Sequence, residues 1–167
     1  MEQLKNFKSF DLHEKLRLSD IDFDAWLKEL GLLNGKRTCH KCGGRTTIHA
    51  IKGRQYGNWR CTTKNCRVER GFLCGTFFEG THLTTKQIFH LSYLWAHRSG
   101  KYEELEFQTG ISMQSIVDWM NFFRDVCAEH FVRNPVQVGG EGKFLCKMGF
   151  SRVQFRGHRR NRRNSSC

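Results

Sequence analysis

Four cysteines in the pattern Cys39-x2-Cys42 and Cys61-x4-Cys66, with 18 residues between the pairs, constrain this chain more than any other feature. Each pair reads as a knuckle, and the spacer is long enough for a β-hairpin. That spacing suits four thiolates at the corners of a tetrahedron, which is a closed structural zinc site. Gly43 and Gly44 follow the first knuckle, where a permissive backbone lets N–H groups turn toward sulfur. The runs 46–51, 56–61 and 68–72 are β-type and bounded by turn residues, so three strands are expected. A module of about 35 residues buries too little apolar surface to fold alone, and metal would make up the deficit. His40 and His49 stand close enough in sequence to act as ligands, but four cysteines make them unnecessary. Cys74 is the alternative to Cys66, Cys127 is expected to pack on a helix face, and Cys146 and Cys167 have no assigned role.

The compartment follows from the same residues. The chain has eight cysteines, yet it opens with no basic stretch followed by an apolar run, and no apolar run approaches 18 residues. A reducing compartment is therefore expected, with metal ligation or burial in place of disulfides, and neither secretion nor a membrane helix. The apolar fraction of 38% and aromatic fraction of 13% leave room for a packed core.

Charge is distributed in blocks. Residues 1–34 are net −2, residues 35–70 net +9, residues 71–142 net −3 and the last 25 residues net +8. The first basic block coincides with the cysteine cluster and contains one acid, Glu69. Two dense positive blocks separated by a mildly acidic stretch imply a polyanionic partner, most simply nucleic acid. Lys52, Arg54, Arg60, Lys64 and Arg67 are the candidate phosphate contacts, and the expected locale is the nucleus of a eukaryotic cell or otherwise the cytoplasm or nucleoid.

The chain reads as an α+β protein in four segments. Residues 1–34 form a helical lead-in, with Asp11/Glu14 and Ser19/Asp22 at capping separation, Gly31 as a stop, and Leu18, Ile21, Phe23, Trp26, Leu27 and Leu30 as an apolar face. Residues 35–80 are the three-stranded antiparallel zinc ribbon, residues 81–133 are three helices, and residues 134–167 are a Pro/Gly linker and a low-complexity basic tail. In the helical part, "LTTKQIFHLSYLWAHR" opens on a capping box of Thr84 and Gln87 and sets Ile88, Leu91 and Trp95 along one face. "KYEELEFQTGISMQSIVDWMNFF" then has helix-turn-helix form, with a turn at Gly110, Ile111 in the core, Ser112 as cap, and Ile116, Met120 and Phe123 as the buried face. The early exposed residues of such a second helix meet base edges in the major groove. Here those are Met113, Gln114, Val117, Asp118 and Asn121; Gln pairs with adenine, Met touches a thymine methyl and Asp accepts from cytosine. Residues 83–131 carry four basic and six acidic side chains, so this unit by itself holds phosphates poorly and depends on the ribbon for affinity.

The order of helical lead-in, "CHKC…CTTKNC", "GTFFEGTHLTTKQ", helix-turn-helix and "NPVQVGGEG" resembles the N-terminal half of transposases of Merlin-type DNA transposons and their bacterial insertion-sequence relatives, over roughly residues 20–142. The resemblance implies modules that recognise transposon ends, followed by an RNase H-like domain whose three acidic residues hold divalent metal ions. It also implies a first catalytic Asp a few residues after the Gly-Gly-x-Gly segment. Residues 143–167 contain no carboxylate, whereas two-metal phosphoryl transfer needs several hard oxygen ligands. The expectation is a truncated transposase, a sequence-specific binder of double-stranded DNA with structural Zn²⁺ and no catalytic residues. A homo-oligomer or a full-length transposase are its expected protein partners. The alternatives are a transposase or nuclease subunit completed in trans, and an RNA- or protein-binding ribbon.

Overall fold

A computed structural model describes residues 4–134. In chain order the elements are α1 (Ser9–Leu16), α2 (Asp20–Glu29), β1 (Thr46–His49), β2 (Asn58–Cys61), β3 (Glu69–Gly71), α3 (Thr85–Ala96), α4 (Tyr102–Thr109) and α5 (Met113–Arg133). The protein is thus α+β, with five helices and one antiparallel sheet of order β1-β2-β3 among the described residues. The register pairs Thr46 with Cys61 and Arg60 with Glu69. The three strands fall inside the expected runs but are shorter at their ends. The described residues form two compact units, 4–117 and 118–134, divided within α5. The stretch 135–167, with most of the expected linker and tail, lies outside the described residues.

Capping explains where the helices begin. Ser19 accepts the Asp22 N–H at 3.2 Å and donates its hydroxyl to the Asp22 carboxylate at 2.7 Å. Thr84 and Gln87 form the expected reciprocal box at the start of α3, at 3.2 and 3.1 Å. At α1 the expectation was displaced by one turn. Asp11 is the third helical residue, and its carboxylate accepts the Lys8 N–H at 2.8 Å, so the cap is Lys8. A carboxylate inside the first turn serves an orphan N–H as well as one ahead of it, and spacing alone does not separate the two.

The helical core is aromatic. Phe23, Trp26, Leu27 and Leu30 of α2 are buried, and Phe89 of α3 meets Phe23 at 5.9 Å and Trp26 at 5.1 Å between ring centres. Such pairs contribute about 0.5–1.5 kcal/mol each beyond their buried area. Ile21, placed by sequence on this face, is 82% exposed, and Leu18 is only half-buried. Two positions before Phe23 on a helix is the opposite side, so Ile21 faces away. On α3, Ile88 and Leu91 are fully buried while Trp95 is half-buried. Ile111 is buried after Gly110, whose left-handed backbone (φ 66°) ends α4. Ser112 accepts the Ile116 N–H through its carbonyl at 3.0 Å, starting α5, and Ile116, Met120 and Phe123 are the buried positions of that helix.

The sheet is tied to the helices by one buried polar group. Asp24 of α2 accepts hydrogen bonds from the Tyr56 hydroxyl (3.2 Å) and the Thr85 hydroxyl (3.1 Å). Tyr56 stacks on Phe72, Phe72 stacks on Trp59, and the Lys28 ammonium lies 5.5 Å over the Phe72 ring. Desolvation raises the Asp24 carboxyl above its usual range despite the hydroxyls, and burial pushes the Tyr56 phenol to about 12.

The sign of the resulting pH dependence is fixed. Because the folded value is raised, the contribution of Asp24 to stability is fully present below about pH 3.8 and is lost as pH rises through the folded pKa. Asp24→Asn retains an oxygen acceptor for both hydroxyls without the charge. Thermal melts of both proteins across the acid range should show the variant at least as stable as the parent near neutrality, with the difference shrinking toward pH 3.8. A variant that loses the same stability at every pH would contradict the assignment.

Candidate metal centre

The four cysteines predicted as ligands converge. Cys39 precedes the first turn, Cys42 ends it, Cys61 is the last residue of β2, and Cys66 lies between β2 and β3. Their sulfurs all lie within 4.8 Å of one another, with Cys39–Cys66 at 3.7 Å and Cys42–Cys61 at 3.5 Å. Four sulfurs about 2.3 Å from a common centre are about 3.8 Å apart, so the set fits a tetrahedral thiolate-bound ion. All four are free thiols, and the separations are far beyond a disulfide bond.

The two knuckles share one backbone design. In the first, the Gly43 N–H donates to the Cys39 carbonyl at 2.8 Å. In the second, the Arg67 N–H reaches the Thr63 carbonyl at 3.4 Å and the Cys66 N–H reaches it at 3.0 Å. Thr63 therefore stands in the second turn where Cys39 stands in the first, and Cys61 delivers its sulfur from the end of β2. This is why a four-residue gap works where the other knuckle uses two. The residue after the last cysteine is left-handed in both turns, Gly43 at φ 68° and Arg67 at φ 43°. For Arg67 this conformation costs roughly 1–2 kcal/mol.

Backbone N–H groups and one hydroxyl surround the sulfurs. Gly44 N–H, then the Thr63 hydroxyl at 3.7 Å, lower the Cys42 thiol to about 6. Cys39 is lowered chiefly by the N–H groups of Cys42 and Lys41. At Cys66 the Val68 N–H pulls downward, but burial and the hydrogen bonds its S–H donates to neighbouring sulfurs push the thiol up to about 11. The surroundings thus favour the thiolate at Cys42 and the thiol at Cys66, because crowded sulfurs resist carrying charge together. A divalent cation at their centre removes that conflict. Gly44 is required by close approach: a Cβ there would lie 2.4 Å from the Thr63 hydroxyl oxygen and 3.2 Å from the Cys42 sulfur.

The other sequence candidates sit apart. His40 and His49 are exposed and outside the cluster. Cys74 is buried elsewhere: Arg37 donates to its carbonyl, an Arg70 nitrogen lies 3.9 Å from its sulfur, and burial pushes its thiol up. Cys127, expected to pack, is exposed, because the buried stripe of α5 stops at Phe123 and residues 124–127 are all exposed. Lys52, Arg54, Lys64 and Arg67 are exposed on the loops around the sheet. Arg60, the fifth phosphate candidate, is half-buried on β2 and ion-paired to Glu69 across the sheet at 3.3 Å. Met113, Gln114, Asp118 and Asn121 are exposed on α5, and Val117 is half-buried. The Asn121 side-chain oxygen accepts from Arg124 at 2.7 Å. The division between units falls between Val117 and Asp118, so the five base-contact candidates are split three and two. Thr63 escaped the sequence reading, although its position three residues before Cys66 mirrors Cys39 before Cys42.

No family model, curated protein or solved structure matches the chain.

One zinc ion per chain is expected on elemental analysis. Cys42→Ser should abolish it and unfold the sheet, while circular dichroism retains the helices after Thr84 with a lower thermal midpoint, since Tyr56 no longer holds Asp24. Gly44→Ala, which disturbs only the Thr63 hydroxyl and the Cys42 sulfur, should weaken metal affinity roughly tenfold. Zinc retained at full stoichiometry in Cys42→Ser would refute the ligand set.

Proposed function

We propose that this protein binds double-stranded DNA through a zinc ribbon and a helix-turn-helix, in the manner of a transposase end-recognition fragment, and that it has no strand-transfer activity of its own. The observation that carries this reading is the coincidence of the four-sulfur cluster with exposed cations. Lys64 and Arg67 are on the second knuckle and Lys52 and Arg54 on the β1–β2 loop. None of these four forms an ion pair among the described residues.

The division of labour follows from the charges. A rigid metal-closed loop holds cations at fixed positions, where they replace counterions condensed on phosphate and so yield affinity that falls with salt. The helical segment has more acids than bases and adds little of this kind, so its role is discrimination. Gln114 near the start of α5 has the donor and acceptor needed for adenine, and Met113 and Val117 offer apolar contact to a thymine methyl. A tetrahedral four-thiolate ion has no open coordination position for water or phosphate, so its role is structural.

Affinity and specificity should separate on mutation. Lys64→Ala combined with Arg67→Gly, which keeps the left-handed turn, should weaken binding to every duplex alike and lower the salt slope by about two. Gln114→Ala should instead alter the sequences selected from a random duplex pool, at about 1–3 kcal/mol for the lost pair. Unchanged selection with Gln114→Ala would remove the recognition-helix assignment, and salt-independent binding would remove the phosphate reading.

A further inference from the structure

We propose that the cleft between α1 and α3 is a second metal site, in which His13 and His90 bind a divalent transition-metal ion of the nickel, copper or zinc kind through imidazole nitrogen. Three of the eight histidines, His13, His90 and His97, line this one cleft of about 570 Å³ together with Ser9 and Tyr93. None belongs to the cysteine cluster, and the DNA-binding reading uses none of them.

Geometry assigns the donor atoms. His13 Nδ1 lies 2.7 Å from the Ser9 carbonyl oxygen, which can only accept, so Nδ1 carries the proton and Nε2 keeps its lone pair. A backbone carbonyl holding one imidazole nitrogen is the common arrangement that orients the other toward a metal. His90 is half-buried on α3, and its ring makes no hydrogen bond among the described residues.

The two rings are 6.5 Å apart between centres and inclined at 66°. Two imidazoles sharing an ion at about 2.1 Å per nitrogen have ring centres about 5–6.5 Å apart. The pair is therefore at the open end of the coordinating range, and an ion held between the rings would draw them closer. Two nitrogen donors select borderline metals over magnesium or calcium, which prefer oxygen. His97, two turns along α3 and 4.3 Å from the Tyr93 ring, adds a third imidazole to the same cleft. Binding would clamp α1 to α3, so occupancy stabilises the helical core and leaves the cysteine centre as it is.

The test uses the full chain with its cysteine site saturated with zinc beforehand, titrated with Ni²⁺ by calorimetry and followed by thermal melts. One further ion per chain and a raised thermal midpoint are expected. His13→Ala and His90→Gln should each weaken nickel binding roughly tenfold or more, while zinc content stays unchanged. A His40→Ala/His49→Ala control should bind nickel as the parent does. His13 is exposed, so its replacement leaves the fold intact even if that of His90 does not. Nickel binding that persists undiminished in His13→Ala, or the absence of saturable binding below the millimolar range, overturns the proposal.

Discussion

Four thiols held within 4.8 Å of one another would repel as thiolates, a conflict that a cation at their centre would resolve and on which the short sheet around them would then depend. Its strands are only three or four residues long, and few of its side chains are buried. Trp59, Cys61 and Phe72 are the apolar residues it encloses, which is far less than an independent fold requires. The two turns are shaped around the sulfurs: N–H groups point inward, a glycine is excluded from having a Cβ, and Arg67 takes a strained backbone. These features would be costly without an ion to organise.

The sheet is nevertheless not isolated. The Tyr56 hydroxyl and the Thr85 hydroxyl meet on one Asp24 oxygen, and the Tyr56–Phe72–Trp59 stack runs from that point into the sheet. An ion held by the four sulfurs would thereby be coupled to the position of α2 and α3, because loosening the sheet frees the hydroxyl that satisfies a buried carboxylate. A buried acid that has lost one donor is a larger loss than the hydrogen bond alone. Helix α3 also carries His90, which faces His13 of α1, so the proposed second ion would act on the same core.

Charge and structure divide the proposed binding function unevenly. The cations crowd the loops around the four sulfurs, while the helices carry excess acid and the polar residues that the proposal assigns to bases. One of the five phosphate candidates, Arg60, is ion-paired to Glu69 across the sheet, and the other four are exposed.

Much of this was legible in the residues. Cysteine spacing picked out the four residues whose sulfurs cluster, because tetrahedral coordination by two hairpin turns tolerates few alternatives. The capping pairs Ser19/Asp22 and Thr84/Gln87 and the stripes of α2 and α3 were local patterns, read without knowing their neighbours. What lay beyond the sequence were relations between distant segments. Ile21 and Cys127 are apolar or small, but exposure depends on what another element covers. Asp24, Tyr56 and Thr85 look unremarkable along the chain and become one buried cluster only when α2, the segment before β2 and α3 meet. The equivalence of Thr63 and Cys39 appears only once both turns are seen to close with the same backbone hydrogen bond. Sequence by itself determined the cysteine set, the starts of α2 and α3 and the placement of charge, since these rest on spacing within a few residues. Tertiary structure alone decided which polar groups are buried together and which histidines share a cleft, because those contacts join residues separated by tens of positions.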